Sequence, residues 1–235
     1  MEPTRASLAG QDSRVKIQVG ATEYLVDTRK IPYFESFINF QQKSGQNTTP
    51  VPVHNDIPFF DVINYGVSNG FRQFFRRMST QLSDYHILCE RLEFLAVEVV
   101  PAGRKIHDIM LDFRGARNDY DKQERREIQG NRSLARDSAF RLLYLFLLGE
   151  FESGARDSNA AYQATLFVVS HRRIFRYRTR KMVKEAFEER FVASEKQRNG
   201  LDKWPISEPS SDRWEEDDVT TEVEDVDMDF DSDWS

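Results

Sequence analysis

Four histidines and a single cysteine are the residues of this chain best suited to catalysis or metal binding. His54, His86, His107 and His171 each lack a second histidine four residues away, the spacing that puts two imidazoles on one helix face. One thiol cannot build a thiolate zinc site, and no Gly-rich phosphate loop or G-x-S-x-G elbow occurs. Cys89 falls on an apolar helical stripe with Tyr85, Leu88, Leu92 and Leu95, where a thiol behaves as a small hydrophobe. The expectation is a non-enzymatic protein with no cofactor and no metal; no constellation supports a hydrolase or transferase.

Charge offers more. Arg172, Arg173, Arg176, Arg178, Arg180, Lys181 and Lys184 crowd into HRRIFRYRTRKMVK, with Phe175 and Tyr177 interleaved. Cations alternating with rings hold single-stranded nucleic acid by neutralising phosphates and stacking bases. The plainer alternative, which we prefer, is a solvated helix face whose Arg stems cover apolar surface. A third reading lets the acidic tail compete for the patch. Residues 207–235 carry 13 of the 39 acidic residues and one of the 33 basic ones, leaving 26 acidic and 32 basic upstream. A net −6 therefore divides into a body near +6 and a tail near −12. That tail alternates Asp and Glu with Val, Met, Phe and Trp, a pattern of disordered, partner-seeking segments. Its spaced aspartates lack the Gly and Glu of a calcium loop.

The remaining pattern says what must position these groups. Hydrophobic residues make up 39% of the chain, and 18 Phe can supply a substantial core. One cysteine excludes an intrachain disulfide and suits a reducing compartment, cytoplasmic or nuclear. The segment MEPTRASLAGQDSR has no apolar h-region, and the apolar run Leu142–Leu148 is far below the roughly 20 residues of a membrane span.

Residues 1–13 read as a disordered N-terminus. Val15, Ile17 and Val19 alternate with polar residues, and Tyr24–Val26 follows Gly20-Ala21-Thr22, which predicts a hairpin. Ile31-Pro32-Tyr33-Phe34 opens a helix, since proline is tolerated where amides lack intrahelical acceptors. Val51–His54 is a short strand that Pro52 confines to an edge. Ile57-Pro58-Phe59-Phe60 repeats the helix start, and Ser83-Asp84 is positioned to cap the striped helix. Pro101-Ala102-Gly103 marks a boundary, residues 102–132 read as a charged linker or exposed helix, and Ser133 as an N-cap. Residues 133–199 form a helical extension, and 200–235 a disordered acidic tail.

The order VKIQVGATEYLVD, IPYFESFINF, VPVHND, IPFFDVINYGVSNG and LSDYHILCERLEFLAVEVV resembles the BTB/POZ domain over residues 14–101, and fungal BTB-containing proteins in particular. The resemblance implies an α+β fold, a small sheet with helices, and a role in oligomerisation or as an adaptor. Its partner would meet the hairpin and the Phe-rich helix, with Phe34, Phe37 and Phe40 as candidate anchors. Gly20-Ala21 stands where the channel-tetramerisation subfamily has Gly-Gly, and Phe71-Arg72-Gln73 where cullin-binding members have a hydrophobic-x-Glu motif. The latter weighs against a cullin-type ubiquitin ligase as partner. The alternative function is a nuclear nucleic-acid-associated regulator that uses residues 172–184 and the tail.

Overall fold

A computed structural model describes residues 13–43, 51–116, 125–149, 151 and 155–207. The expectations for residues 1–12 and for the tail beyond Ser207 lie outside this range.

The fold is mixed α+β. Strands β1 (Arg14–Val19) and β2 (Thr22–Asp27) pair antiparallel with Val19 opposite Thr22. Gly20 closes the turn at φ 60°, a left-handed conformation that glycine adopts without a Cβ penalty. Ile17, Val19 and Val26 face inward, as alternation predicts. Helix α1 (Pro32–Lys43) then carries the chain to β3 (Val53–His54), which pairs parallel with β1 and gives the order β2-β1-β3. Proline lacks the N–H that a central strand needs; Pro52 sits at the sheet edge, where its carbonyl accepts from the Gln18 amide at 2.9 Å.

Helix α2 (Phe60–Asn69) follows a turn in which Phe59 adopts φ 61°. A short 3-10 turn (Phe71–Gln73) runs into α3 (Phe74–Arg77), then α4 (Leu82–Phe94). The α4 start differs from expectation. Ser83 and Asp84 lie inside its first turn, and it is Ser79 Oγ that accepts from the Gln81 amide while meeting the Asp84 carboxylate. Downstream come α5 (Ile106–Gly115), α6 (Arg125–Leu148), α7 (Ala155–Ser170), α8 (Tyr177–Arg190) and α9 (Glu195–Asp202).

Three further expectations need correction. The linker at 102–132 contains α5, which buries Ile106, Ile109 and Phe113. Phe113 stacks on Phe167 at 5.7 Å and meets Phe175 edge-on at 5.2 Å. The spacing of 106, 109 and 113 is a helical apolar face that the surrounding charge conceals. Ser133 caps nothing, since α6 begins at Arg125 and runs through it. Order also continues past residue 200. Ser194 and Gln197 form a capping box that starts α9: Ser194 Oγ accepts from the Gln197 amide at 3.3 Å, and Gln197 Oε1 accepts from the Ser194 amide at 2.9 Å. Leu201 then docks, fully buried.

A single hydrophobic cluster runs from Ile17 to Leu201. Phe140, on α6, ties its halves together, with its ring 4.5 Å from Phe74, 5.8 Å from Phe75 and 5.9 Å from Phe71. Pro101–Gly103 is a turn in the chain, not a break in the packing. Beside Phe140, Asp137 accepts from the Arg72 amide at 2.7 Å and pairs with its guanidinium at 3.4 Å. Among the described residues no helix is long and apolar enough to cross a membrane.

Candidate interaction surface

Pro32 sets the first turn of α1, so Tyr33, Phe37 and Phe40 fall at steps of four and three along one side. Phe34 turns the other way. It is fully buried, 5.4 Å from Phe60, and drops out of the anchor set as a core residue. Phe37 is half-buried and Phe40 is 69% exposed.

Tyr33 organises the stripe. Its ring lies parallel to Phe37 at 6.1 Å and tilts against Phe94 of α4 at 4.7 Å, while its amide donates to the Leu95 carbonyl at 3.3 Å. His54 fixes the hydroxyl. Nδ1 lies 2.7 Å from the Asn55 carbonyl, which can only accept, so Nδ1 carries the proton. In the neutral ring Nε2 is then an acceptor, and the Tyr33 hydroxyl donates to it at 2.8 Å. Burial pushes the Tyr33 phenol above its ordinary value, which keeps that donor protonated. The result is a row of rings, Phe94, Tyr33, Phe37 and Phe40, whose outer members are 47% and 69% exposed. Of the sequence candidates, Phe37 and Phe40 lie on this row; Tyr33 and Phe94, not among those candidates, join it. The available signal for Phe94 was its position off the Leu88–Leu92–Leu95 stripe, on the helix side turned from the core.

The basic segment is spread over several directions. Arg178 Nη1 donates to the carbonyls of Arg76 and Met78 at 3.0 and 3.1 Å, and Lys181 Nζ donates to that of Thr80 at 3.2 Å. These cations close the C-terminal end of α3, where unpaired carbonyls and the helix dipole favour positive charge. Arg180 is 6% exposed and donates to the Val169 carbonyl at 3.3 Å; burial lowers its guanidinium below the ordinary value. Lys184 pairs with Asp202 at 2.7 Å, and Arg172 donates to the Pro205 carbonyl at 3.2 Å. Arg176 is the residue before α8, and Arg173 is exposed. Phe175 is fully buried, so it offers no face to a base. Replacing Arg178 with methionine leaves two carbonyls without their charged donor. We expect it to cost about 1.5–3 kcal/mol, read as a lower urea midpoint at unchanged slope. An unchanged midpoint would refute the clamp.

Two of the remaining histidines have local partners, and His107 is exposed on α5. His86 Nε2 lies 2.8 Å from Glu189, and His171 stacks on Phe167 at 3.9 Å. No group of three or more His, Cys, Asp or Glu side chains among the described residues is arranged to hold a metal ion. Cys89 is fully buried, and burial, with Glu90 adding to it, pushes its thiol up. A thiol-reactive dye should therefore label the native protein only as fast as it unfolds, and label it stoichiometrically in guanidinium. Rapid labelling of the folded chain would contradict this burial. Comparisons with known proteins found no matching family model, no similar curated protein and no similar solved structure.

Proposed function

We propose that this protein is a non-enzymatic interaction module of BTB/POZ type, a self-associating unit or adaptor that meets its protein partner through the aromatic row on α1. The observation that carries the reading is the exposure of Phe40 and Phe94 at the ends of a row whose centre is locked by the Tyr33–His54 bond. Phe94, held against Tyr33 before binding, loses little side-chain entropy on contact, and Phe40 adds an exposed ring beside it, the kind of apolar anchor that carries interface energy. The order of hairpin, helix, parallel edge strand and helices supports the BTB/POZ assignment; the reducing setting, cytoplasmic or nuclear, rests on the single cysteine. Gln73, the last residue of the Phe71-Arg72-Gln73 segment, is buried, which continues to weigh against a cullin-type partner there.

Light scattering on the full chain tests the reading, combined with affinity capture. A mass above that of one chain, or capture of a partner, that is lost when Phe40 is replaced by aspartate supports it. A monomer that captures the same proteins with and without the substitution would refute it. The alternative of a nucleic-acid-associated regulator draws less support, because Arg178, Arg180, Lys181 and Lys184 all have partners within the chain.

A further inference from the structure

An open groove of about 580 Å³ lies between α7 and α9, lined by Tyr162, Leu166, Glu195, Lys196, Lys203 and Trp204. Its floor is apolar and aromatic. Its rim sets two ammonium groups, both exposed, against one carboxylate. Trp204 is 40% exposed there and presents an amphipathic ring to the groove. Beyond Trp204 the chain stays at this end of the molecule: Pro205 is held by Arg172, and Pro205 and Ile206 line a second, adjoining hollow. The described chain thus stops at Ser207 beside the groove, with 28 residues still to follow.

Those residues have complementary chemistry. Trp214 is the first aromatic among them, and it is followed by Glu215, Glu216, Asp217 and Asp218. The segment's one cation, Arg213, immediately precedes it. One basic residue, one indole and a run of acids therefore face a groove with one acid, an aromatic floor and two lysines. Trp214 lies seven positions beyond Ser207, a span of at most about 24 Å, enough to fold back onto a groove that Trp204 itself lines. A tether of this length sets a local concentration on the order of millimolar, so even a weak contact is occupied.

We propose that the chain's own segment Arg213–Asp218 occupies this groove in cis, with Trp214 over Tyr162, Leu166 and Trp204 and its acids on Lys196 and Lys203. The acidic tail is then a built-in occupant of the α7–α9 face, and an incoming ligand of that face must displace it. The contact is partly ionic, so it loosens as salt rises.

Fluorine NMR of the full chain labelled with fluorotryptophan tests this. The three tryptophans give three resonances, and Trp214→Phe identifies the one of interest. At low salt the Trp214 resonance should stand apart from that of Trp234, with no dependence on protein concentration. In the Lys196→Glu/Lys203→Glu variant that separation should vanish, while the Trp204 resonance and the melting midpoint persist. Raising salt to about 1 M on the unaltered chain should reduce the separation too, so the test does not depend on the variant folding. Coincident Trp214 and Trp234 resonances at low salt would overturn the proposal. A separation indifferent to charge reversal and salt would place Trp214 elsewhere. One that grows with protein concentration would assign the groove to the tail of a second copy.

Discussion

Phe140→Ala is expected to remove about 3–5 kcal/mol of stability, a large share of the 5–15 kcal/mol typical of a folded chain. The ring is fully buried and touches Phe71, Phe74 and Phe75 from a helix that begins about seventy residues after the last strand. Truncation leaves a void that three aromatic neighbours cannot readily fill, because their rings are rigid and fixed on the 3-10 turn and α3. The cost should appear as one cooperative urea transition at a lower midpoint, seen equally in helical signal and tryptophan emission. Amide exchange is the sharper readout. If the core is continuous, protection of the β1–β2 amides falls with that of α6 and α8, although no strand residue has been altered. Unchanged protection in the hairpin would show that the first hundred residues stand alone.

Phe40→Asp is expected to act on association and leave stability alone. The side chain is 69% exposed, so the fold loses little, and the melting midpoint should move by no more than about 0.5 kcal/mol equivalent. At an interface the same change buries an unpaired carboxylate where an aromatic anchor belonged. A loss of at least about 2 kcal/mol follows, roughly thirtyfold in dissociation constant. Phe37→Ala should give a mixed outcome, because Phe37 also packs on Tyr33 and Phe34. The two variants therefore separate contact with a partner from support of the row. If Phe40→Asp associates with unaltered affinity, the row on α1 is not the contact surface.

The parts of the fold that sequence made legible are those in which one local rule acts alone. Alternation at Val15, Ile17 and Val19 marks the hairpin, Pro32 marks the start of α1, and Pro52 puts β3 at the edge. Rules failed where two signals overlapped. Charge density across 102–132 concealed the stripe Ile106–Ile109–Phe113, and the weak general preference for serine at helix starts suggested a cap at Ser133 inside a long helix. The Ser194–Gln197 box is present in the sequence, but the expected order ends at residue 200, on the acidic composition that follows. The candidate surface was half legible. Phe34, Phe37 and Phe40 share one helix and one residue type; what separates them is which side meets Phe60, a contact between segments that periodicity cannot order. The Arg-rich stretch shows the same limit. Its composition describes a cationic patch, yet carbonyls a hundred residues earlier decide where its charges point.

That distance has a consequence for synthesis. The carbonyls of Arg76, Met78 and Thr80 wait for donors 100 to 102 positions later in the chain, and Phe74 and Phe75 wait for Phe140. At about 5–20 residues per second a ribosome needs roughly 5–20 s to deliver α8 after α3 has emerged. Until then the segment FRQFFRRM lacks the side-chain donors that its carbonyls accept from, so it is among the last parts of the first hundred residues to reach its full packing during synthesis.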